Sequence, residues 1–275
     1  MSDMTKTELV LRRDRAVVLC GLGVITALAW WWVLVGAGTG MSTIAMTTWA
    51  FPPPIRPAMV VSWNLDYAIV MFLMWWIMMI AMMTPSAAPM VLLYARVHRH
   101  AYKLGQRESA VAPTLSFAFG YLLAWGMFSV IATGLQWALE HVGLLHAMMM
   151  WSLNPFLTAA ILIFAGVYQL TPLKHACLEH CRSPVAFLST HFRSGAVGAL
   201  RLGWIHGLYC LGCCWVLMGL LFAGGIMNLV WIAGLSIFVL VEKLAPAGQW
   251  VARFSGAGMI AFGCWIILKV IGTGT

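Results

Sequence analysis

Charged residues are scarce in this sequence. Only 9% of the 275 residues are Asp, Glu, Lys or Arg, whereas about a quarter of the residues in soluble domains are charged. Hydrophobic residues make up 62% of the chain, and the mean hydropathy is +0.90. The composition therefore excludes an ordinary soluble domain and predicts an all-α protein, a polytopic bundle of transmembrane helices.

Several motifs are also missing from the sequence. It contains no P-loop, which argues against ATP-driven pumping by this chain alone. No cleavable signal peptide is evident, because the first apolar run is too long for a signal h-region. We find no convincing internal repeat and no soluble domain. We therefore expect a short cytoplasmic segment, 1–15, followed by one transmembrane helical domain, 16–275.

Hydropathy predicts about seven spans, with six as the lower alternative. They cover roughly residues 16–37, 66–94, 110–135, 150–170, 204–223, 226–242 and 252–272. The second span is long and contains Pro85 and Pro89, which predict a kink or break near Thr84.

The basic residues give the chain a predicted orientation. In the seven-span interpretation, 14 of the 16 Lys and Arg residues fall on one side, and basic loops are typically cytoplasmic. We therefore expect an integral membrane protein with a cytoplasmic N-terminus and an external C-terminus. The connection at 171–203 would then face the cytoplasm, where thiols stay reduced and disulfides are rare. Because the net charge of +8 follows this topology, we expect the lipid bilayer as a partner and no nucleic acid.

Cysteine and histidine are concentrated in two short stretches on either side of this connection. The residues are His175, Cys177, His180 and Cys181 in KHACLEHC, and His206, Cys210, Cys213 and Cys214 in HGLYCLGCC. The stretches hold five of the 7 cysteines and three of the 8 histidines. Thiolate and imidazole bind Cu(I) and Zn(II), so we interpret both stretches as metal ligands. The alternative is packing, because a buried cysteine behaves as a small hydrophobe. Neither stretch has a zinc-finger spacing.

Helical geometry would bring these ligands together. Thr171 and Pro172 are typical of an N-cap and a first helical position, so a new helix should begin there. At 100° per residue along a helix, His206, Cys210 and Cys213 fall within an arc of about 60°. Glycines at 207 and 212 would let another helix pack close to this row. We expect the two stretches to meet in space and to share at least one metal ion.

Two further features could contribute ligands. Met71, Met74, Met78 and Met82 recur at helical spacing within an arc of about 80°. Thioether sulfur favours Cu(I), although methionine also fills irregular helix interfaces. Glu242 lies at the predicted cytoplasmic end of the sixth span, where it could be an oxygen ligand or a proton acceptor. Its alternative roles are an ion pair with Lys243 or an interfacial position.

Four segments carry a family resemblance. MWWIMMIAMMTPSAAPM, LTPLKHACLEHCRSP, HGLYCLGCCW and LVEKLAP resemble an uncharacterised bacterial family of predicted metal-binding integral membrane proteins. The resemblance covers most of the chain from about Asp66 to the last span. It implies a membrane location and a metal site formed by the Cys and His residues of the two stretches, and it implies no particular activity.

Three functions agree with these patterns. The leading hypothesis is a membrane protein that carries, inserts or stores Cu(I) through Cys, His and Met ligands, including Met74 and Met78, with zinc or iron as alternative metals. The second is a subunit of a metal-dependent membrane oxidoreductase with an open coordination position. The third is a structural subunit with one closed metal site. Each would also allow a protein partner or membership of a larger complex.

Overall fold

The structure is a computed structural model that describes residues 2–54, 61–103, 111–191 and 195–273. Helices dominate these ranges, together with one isolated bridge between Leu145 and Ser152. In chain order the helices are α1 (Ser2–Leu34), α2 (Leu65–Lys103), α3 (Val111–His141), α4 (Pro155–Gln169), α5 (Pro172–Arg182), α6 (Pro184–His191), α7 (Gly195–Gly219), α8 (Leu221–Gly224), α9 (Leu229–Leu244) and α10 (Gly248–Thr273). The predicted all-α class is confirmed. Arg56, Arg107 and Arg193 from the charge argument lie outside the described residues.

The predicted number of about seven spans is not confirmed. Within the described ranges, 5 helices are long and apolar enough to cross a membrane, in α1, α2, α3, α7 with α8, and α10. The count rises to 6 if α4 and α5, which meet at 64°, form one bent span. Helices α4 and α9 have only 15 and 16 residues, and a straight span takes about 20. The spans predicted from hydropathy begin earlier than α4 and α9, because the residues just before each helix are also apolar.

Helix α9 nevertheless connects two distinct ends of the bundle. At its start, the Asn228 amide donates to the Thr48 carbonyl in the connection between α1 and α2, at 3.0 Å. At its other end, the Glu242 carboxylate accepts from Lys174 of α5 at 2.5 Å. We refer to these as the Asn228 end and the Glu242 end. The Cys/His-bearing connection thus consists mainly of helices α5 and α6, packed at the Glu242 end.

Glycine brings α3 and α7 unusually close. A Cβ at Gly203 would lie 2.0 Å from the Phe117 carbonyl oxygen, and one at Gly120 would lie 2.1 Å from the Leu200 carbonyl oxygen. At Gly207 the added atom would lie 2.6 Å from the Ala124 methyl. Small residues in this register allow the backbones of neighbouring helices to touch. The close approach expected at Gly207 is therefore confirmed.

Helix α2 runs unbroken through Pro85 and Pro89, so the chain has no break near Thr84. Each proline lacks an amide proton and leaves a carbonyl one turn earlier without its helical partner. Hydroxyl groups from neighbouring helices bind carbonyls in this turn: Tyr121 donates to Met83 at 3.2 Å, and Ser236 donates to Met82 at 3.2 Å. These contacts bind the two carbonyls that follow Ala81, whose own carbonyl loses its helical partner because of Pro85.

Candidate metal centre

The two Cys/His stretches lie on helices that pack against each other. Helix α5 begins as predicted: Thr171 is the N-cap, its hydroxyl accepts from the Lys174 amide at 3.3 Å, and a proline follows it. Gly212 on α7 makes room for α5, because a Cβ there would lie 2.8 Å from the Cys177 sulfur. The expectation that the stretches meet in space is confirmed for α5 and α7.

Cys210 lies at the centre of this contact. Its side chain is buried, and its sulfur accepts a hydrogen bond from the Lys243 ammonium at 2.9 Å. The Tyr121 hydroxyl lies 3.1 Å from the same sulfur. Lys243 is also buried and donates to the Ser86 hydroxyl at 3.1 Å. Cys210 is thus contacted by polar groups from α3 and α9, next to α2.

The other cysteines of α7 are oriented differently. The thiols of Cys213 and Cys214 donate to the Cys210 carbonyl oxygen at 3.0 and 2.9 Å. These two thiols therefore satisfy a carbonyl of their own helix. Cys181 on α5 lines a common cavity with Cys210.

A cavity of about 160 Å³ opens beside Cys210. Cys181, His206, Met90 and Lys243 line it together with Cys210. The His206 ring is buried among the rings of Phe117, Tyr121 and Phe187, and its Nδ1 atom has no hydrogen-bond partner among the described residues. Thiol, imidazole and thioether groups, the ligand types of soft and borderline metals, therefore converge on one small space.

Of the eleven predicted ligands, eight do not line this cavity, and His175, His180 and Glu242 among them have other neighbours. His175 lines a separate open cleft with Glu179 and Arg253. The His180 ring stacks on Tyr209 with 4.3 Å between the centroids. Glu242 binds Lys174, as described above, and accepts from Gln169 at 3.3 Å, so its interpretation as an ion-pair partner of Lys243 is wrong.

The described side chains do not form a closed metal site. Nowhere in the described ranges are three or more His, Cys, Asp or Glu side chains positioned to hold one metal ion together. The eight Cys and His residues are thus not gathered into one compact cluster. Around Cys210, the thiols of Cys181 and Cys210 and the thioether of Met90 are ligand types that soft ions such as Cu(I) prefer.

The methionine stripe of α2 faces the interior, as expected. Met71, Met74, Met78 and Met82 are all at most 1% exposed. At the Asn228 end, the Gln136 amide donates to the Met71 sulfur at 3.4 Å. Next to Met82, at the other end of the stripe, the Met83 carbonyl accepts from the Tyr121 hydroxyl, which also contacts Cys210. The stripe therefore runs inside the bundle from Gln136 toward the cavity.

Sequence reasoning missed the residues that surround Cys210. The sequence pattern indicates Lys243 only as a possible ion-pair partner of Glu242, and it gives Tyr121 and Ser86 no place in a site. The position of Lys243 at the end of an apolar helix is a signal that could have identified it, because a buried ammonium requires a partner. The tyrosine and the serine have no comparable signal.

Comparison with known families gives one finding. The model of the PpoB2 copper chaperone family matches residues 72–266, which include all of the candidate ligands except Met71. The match agrees with the metal-binding part of the resemblance seen in the sequence. Neither a curated protein nor a solved structure matches the chain.

Proposed function

Because the chain belongs to the PpoB2 copper chaperone family, we propose that it carries Cu(I) as cargo and passes the ion to a protein partner. Cys210 is the central ligand in this proposal. The observation that carries it is the contact of 2.9 Å between the Cys210 sulfur and the Lys243 ammonium.

This contact supports a thiolate that is ready to bind a soft cation. A buried ammonium is strongly destabilising unless an opposite charge or good acceptors compensate for it. Glu242, the adjacent carboxylate in the sequence, is bound to Lys174. Among the residues that the structure describes, the acceptors of Lys243 are the neutral Ser86 hydroxyl and the Cys210 sulfur, so the sulfur is the group that can supply the negative charge. Thiolate, not thiol, is the form that ligates metals.

Further ligands are available at the same cavity. Cys181 is the second thiol that lines it, and the unpartnered Nδ1 of His206 gives a nitrogen donor. Cys213 and Cys214 would join only after they release the Cys210 carbonyl. A site that holds its cargo by few bonds suits a carrier, since the ion must later leave by ligand exchange. A closed site of four ligands is typical of a structural metal.

The methionine stripe gives this cargo a route within the bundle. Buried thioethers at Met71, Met74, Met78 and Met82 are weak, soft ligands at successive heights on α2. In the proposed route, copper exchanges between these sulfurs and the thiols near Tyr121.

The setting of the proposal is a bacterial inner membrane. The apolar helices support contact with lipid. We assign the Glu242 end, with its basic residues, to the cytoplasm and the Asn228 end to the outside. The second hypothesis, an oxidoreductase, has less support because Glu242, its candidate oxygen ligand or proton acceptor, is bound to Lys174.

The experiment compares Cys210→Ser with Cys264→Ser in full-length protein purified under anaerobic conditions. Cys264 is an exposed cysteine on α10, so it is the matched control. After loading with Cu(I) and removal of unbound ion, copper is quantified by mass spectrometry, and release is followed with a chromophoric Cu(I) chelator. We expect Cys210→Ser to lose copper and Cys264→Ser to match the wild type. Equal copper in all three proteins would refute the role of Cys210.

A further inference from the structure

Three buried charged side chains meet at the Glu242 end of the bundle. Lys174, Glu242 and Lys243 are 0%, 1% and 6% exposed. Lys174 and Glu242 form a direct ion pair at 2.5 Å, which neutralises both. Lys243 is therefore left with its positive charge facing Cys210, and it lines the same cavity as that cysteine.

The net charge of a metal–thiolate complex in this cavity depends on the valence of the bound ion. Two thiolates, from Cys210 and Cys181, carry two negative charges. With Cu(I) the complex retains one negative charge, and the Lys243 ammonium makes the whole site neutral. With Zn(II) the same complex is neutral, and the ammonium is left without a counter-charge in a buried environment, which is unfavourable. Binding of Cu(I) releases one proton, from the Cys181 thiol, so the charges balance.

We propose that Lys243 is the counter-ion of a Cu(I) complex with the Cys210 and Cys181 thiolates, and that its charge makes the site select monovalent soft cations over Zn(II). The inference rests on the proposed carriage of copper and assigns the specificity of that site to a residue that is not itself a ligand. Cys213 and Cys214 support the count of two thiolates, because both thiols are engaged with the Cys210 carbonyl.

The geometry gives Lys243 this role and not a merely structural one. Its ammonium reaches across from α9 to groups on α7 and α2, Cys210 and Ser86. The adjacent ion pair, in contrast, joins α9 to α5 away from the cavity. Lys243 lines the cavity that Cys181 and Cys210 share, so its charge acts directly on an ion held there.

The test measures three ions on the full chain in detergent: Cu(I), Ag(I) as a second monovalent soft cation, and Zn(II). Affinities are determined by competition with chromophoric chelators under anaerobic conditions. The variants are Lys243→Met, which removes the charge and keeps the apolar stem, and Lys243→Arg, which keeps the charge. Lys269→Met is the matched control, since Lys269 is an exposed lysine on α10. Circular dichroism reports whether each variant retains its helices.

We expect Lys243→Met to lose at least about tenfold in affinity for Cu(I) and Ag(I), equivalent to about 1.4 kcal/mol, while its affinity for Zn(II) is unchanged or higher. Lys243→Arg should retain the preference for monovalent ions, and Lys269→Met should match the wild type. An equal loss for all three ions, including a loss through unfolding, would overturn the assignment of specificity, as would an unchanged ratio of Cu(I) to Zn(II) affinity. Wild-type protein that binds no Cu(I) would refute the proposed function itself and this inference with it.

Discussion

The ion pair between Lys174 and Glu242 predicts a large and specific effect of substitution. Glu242→Gln keeps the size of the side chain and removes the charge that compensates Lys174. Breaking a buried pair by removing one partner destabilises a protein by about 3–5 kcal/mol, because the other charge stays buried and uncompensated. Gln169, which donates to Glu242 at 3.3 Å, can hydrogen-bond to the new amide oxygen but cannot replace the charge.

Thermal unfolding in detergent, followed by circular dichroism, measures this effect. A domain of this size loses about 2–4 °C in Tm per kcal/mol, so we expect a fall of roughly 6–20 °C. Glu179→Gln is the matched control, because Glu179 is an exposed carboxylate on α5, and surface substitutions change stability by about 0.5 kcal/mol or less.

A double variant separates charge compensation from other roles of Glu242. Lys174→Met combined with Glu242→Gln removes both charges and should recover much of the lost Tm, since replacing a whole buried pair is often nearly neutral. It should also bind Cu(I) as the wild type does, because neither side chain lines the cavity beside Cys210. A single variant that melts at the wild-type temperature would show that Glu242 does not compensate the charge of Lys174. A double variant that loses copper would instead support Glu242 as a metal ligand, as predicted from the sequence.

Two further predictions concern the proposed copper route along α2 and the orientation of the chain in the membrane. Met74→Leu with Met78→Leu conserves volume and apolarity, so the stability should change by less than about 1.5 kcal/mol. Copper transfer should nevertheless fall. If this variant keeps full copper occupancy and full transfer, the methionines of the stripe only fill the helix interface and do not bind copper. For the orientation, reporters fused at Gly195 and at Thr275 should report the cytoplasm and the outside, respectively. Both signals on one side would contradict the proposed topology.

The sequence by itself determined the features that depend on composition and local pattern. Scarce charge and long apolar runs are sufficient for a helical bundle, because a backbone in hydrocarbon must satisfy its own hydrogen bonds. Thr171 marked the start of α5, since an N-cap depends on residues within one turn. The regular spacing of the methionines on α2 placed them on one face, which the fold buries. Glycines at 207 and 212 indicated where neighbouring helices touch.

Only the tertiary structure decided which charged group meets which partner. Glu242 and Lys243 are neighbours in the sequence, but successive residues on a helix point about 100° apart. Glu242 therefore meets Lys174 on α5, and Lys243 meets Cys210 on α7. That choice depends on the helices that surround α9, and no local pattern contains it. The lengths of α4 and α9 could likewise not be predicted from the sequence. An apolar turn and an apolar helix have the same hydropathy, and only the backbone distinguishes them.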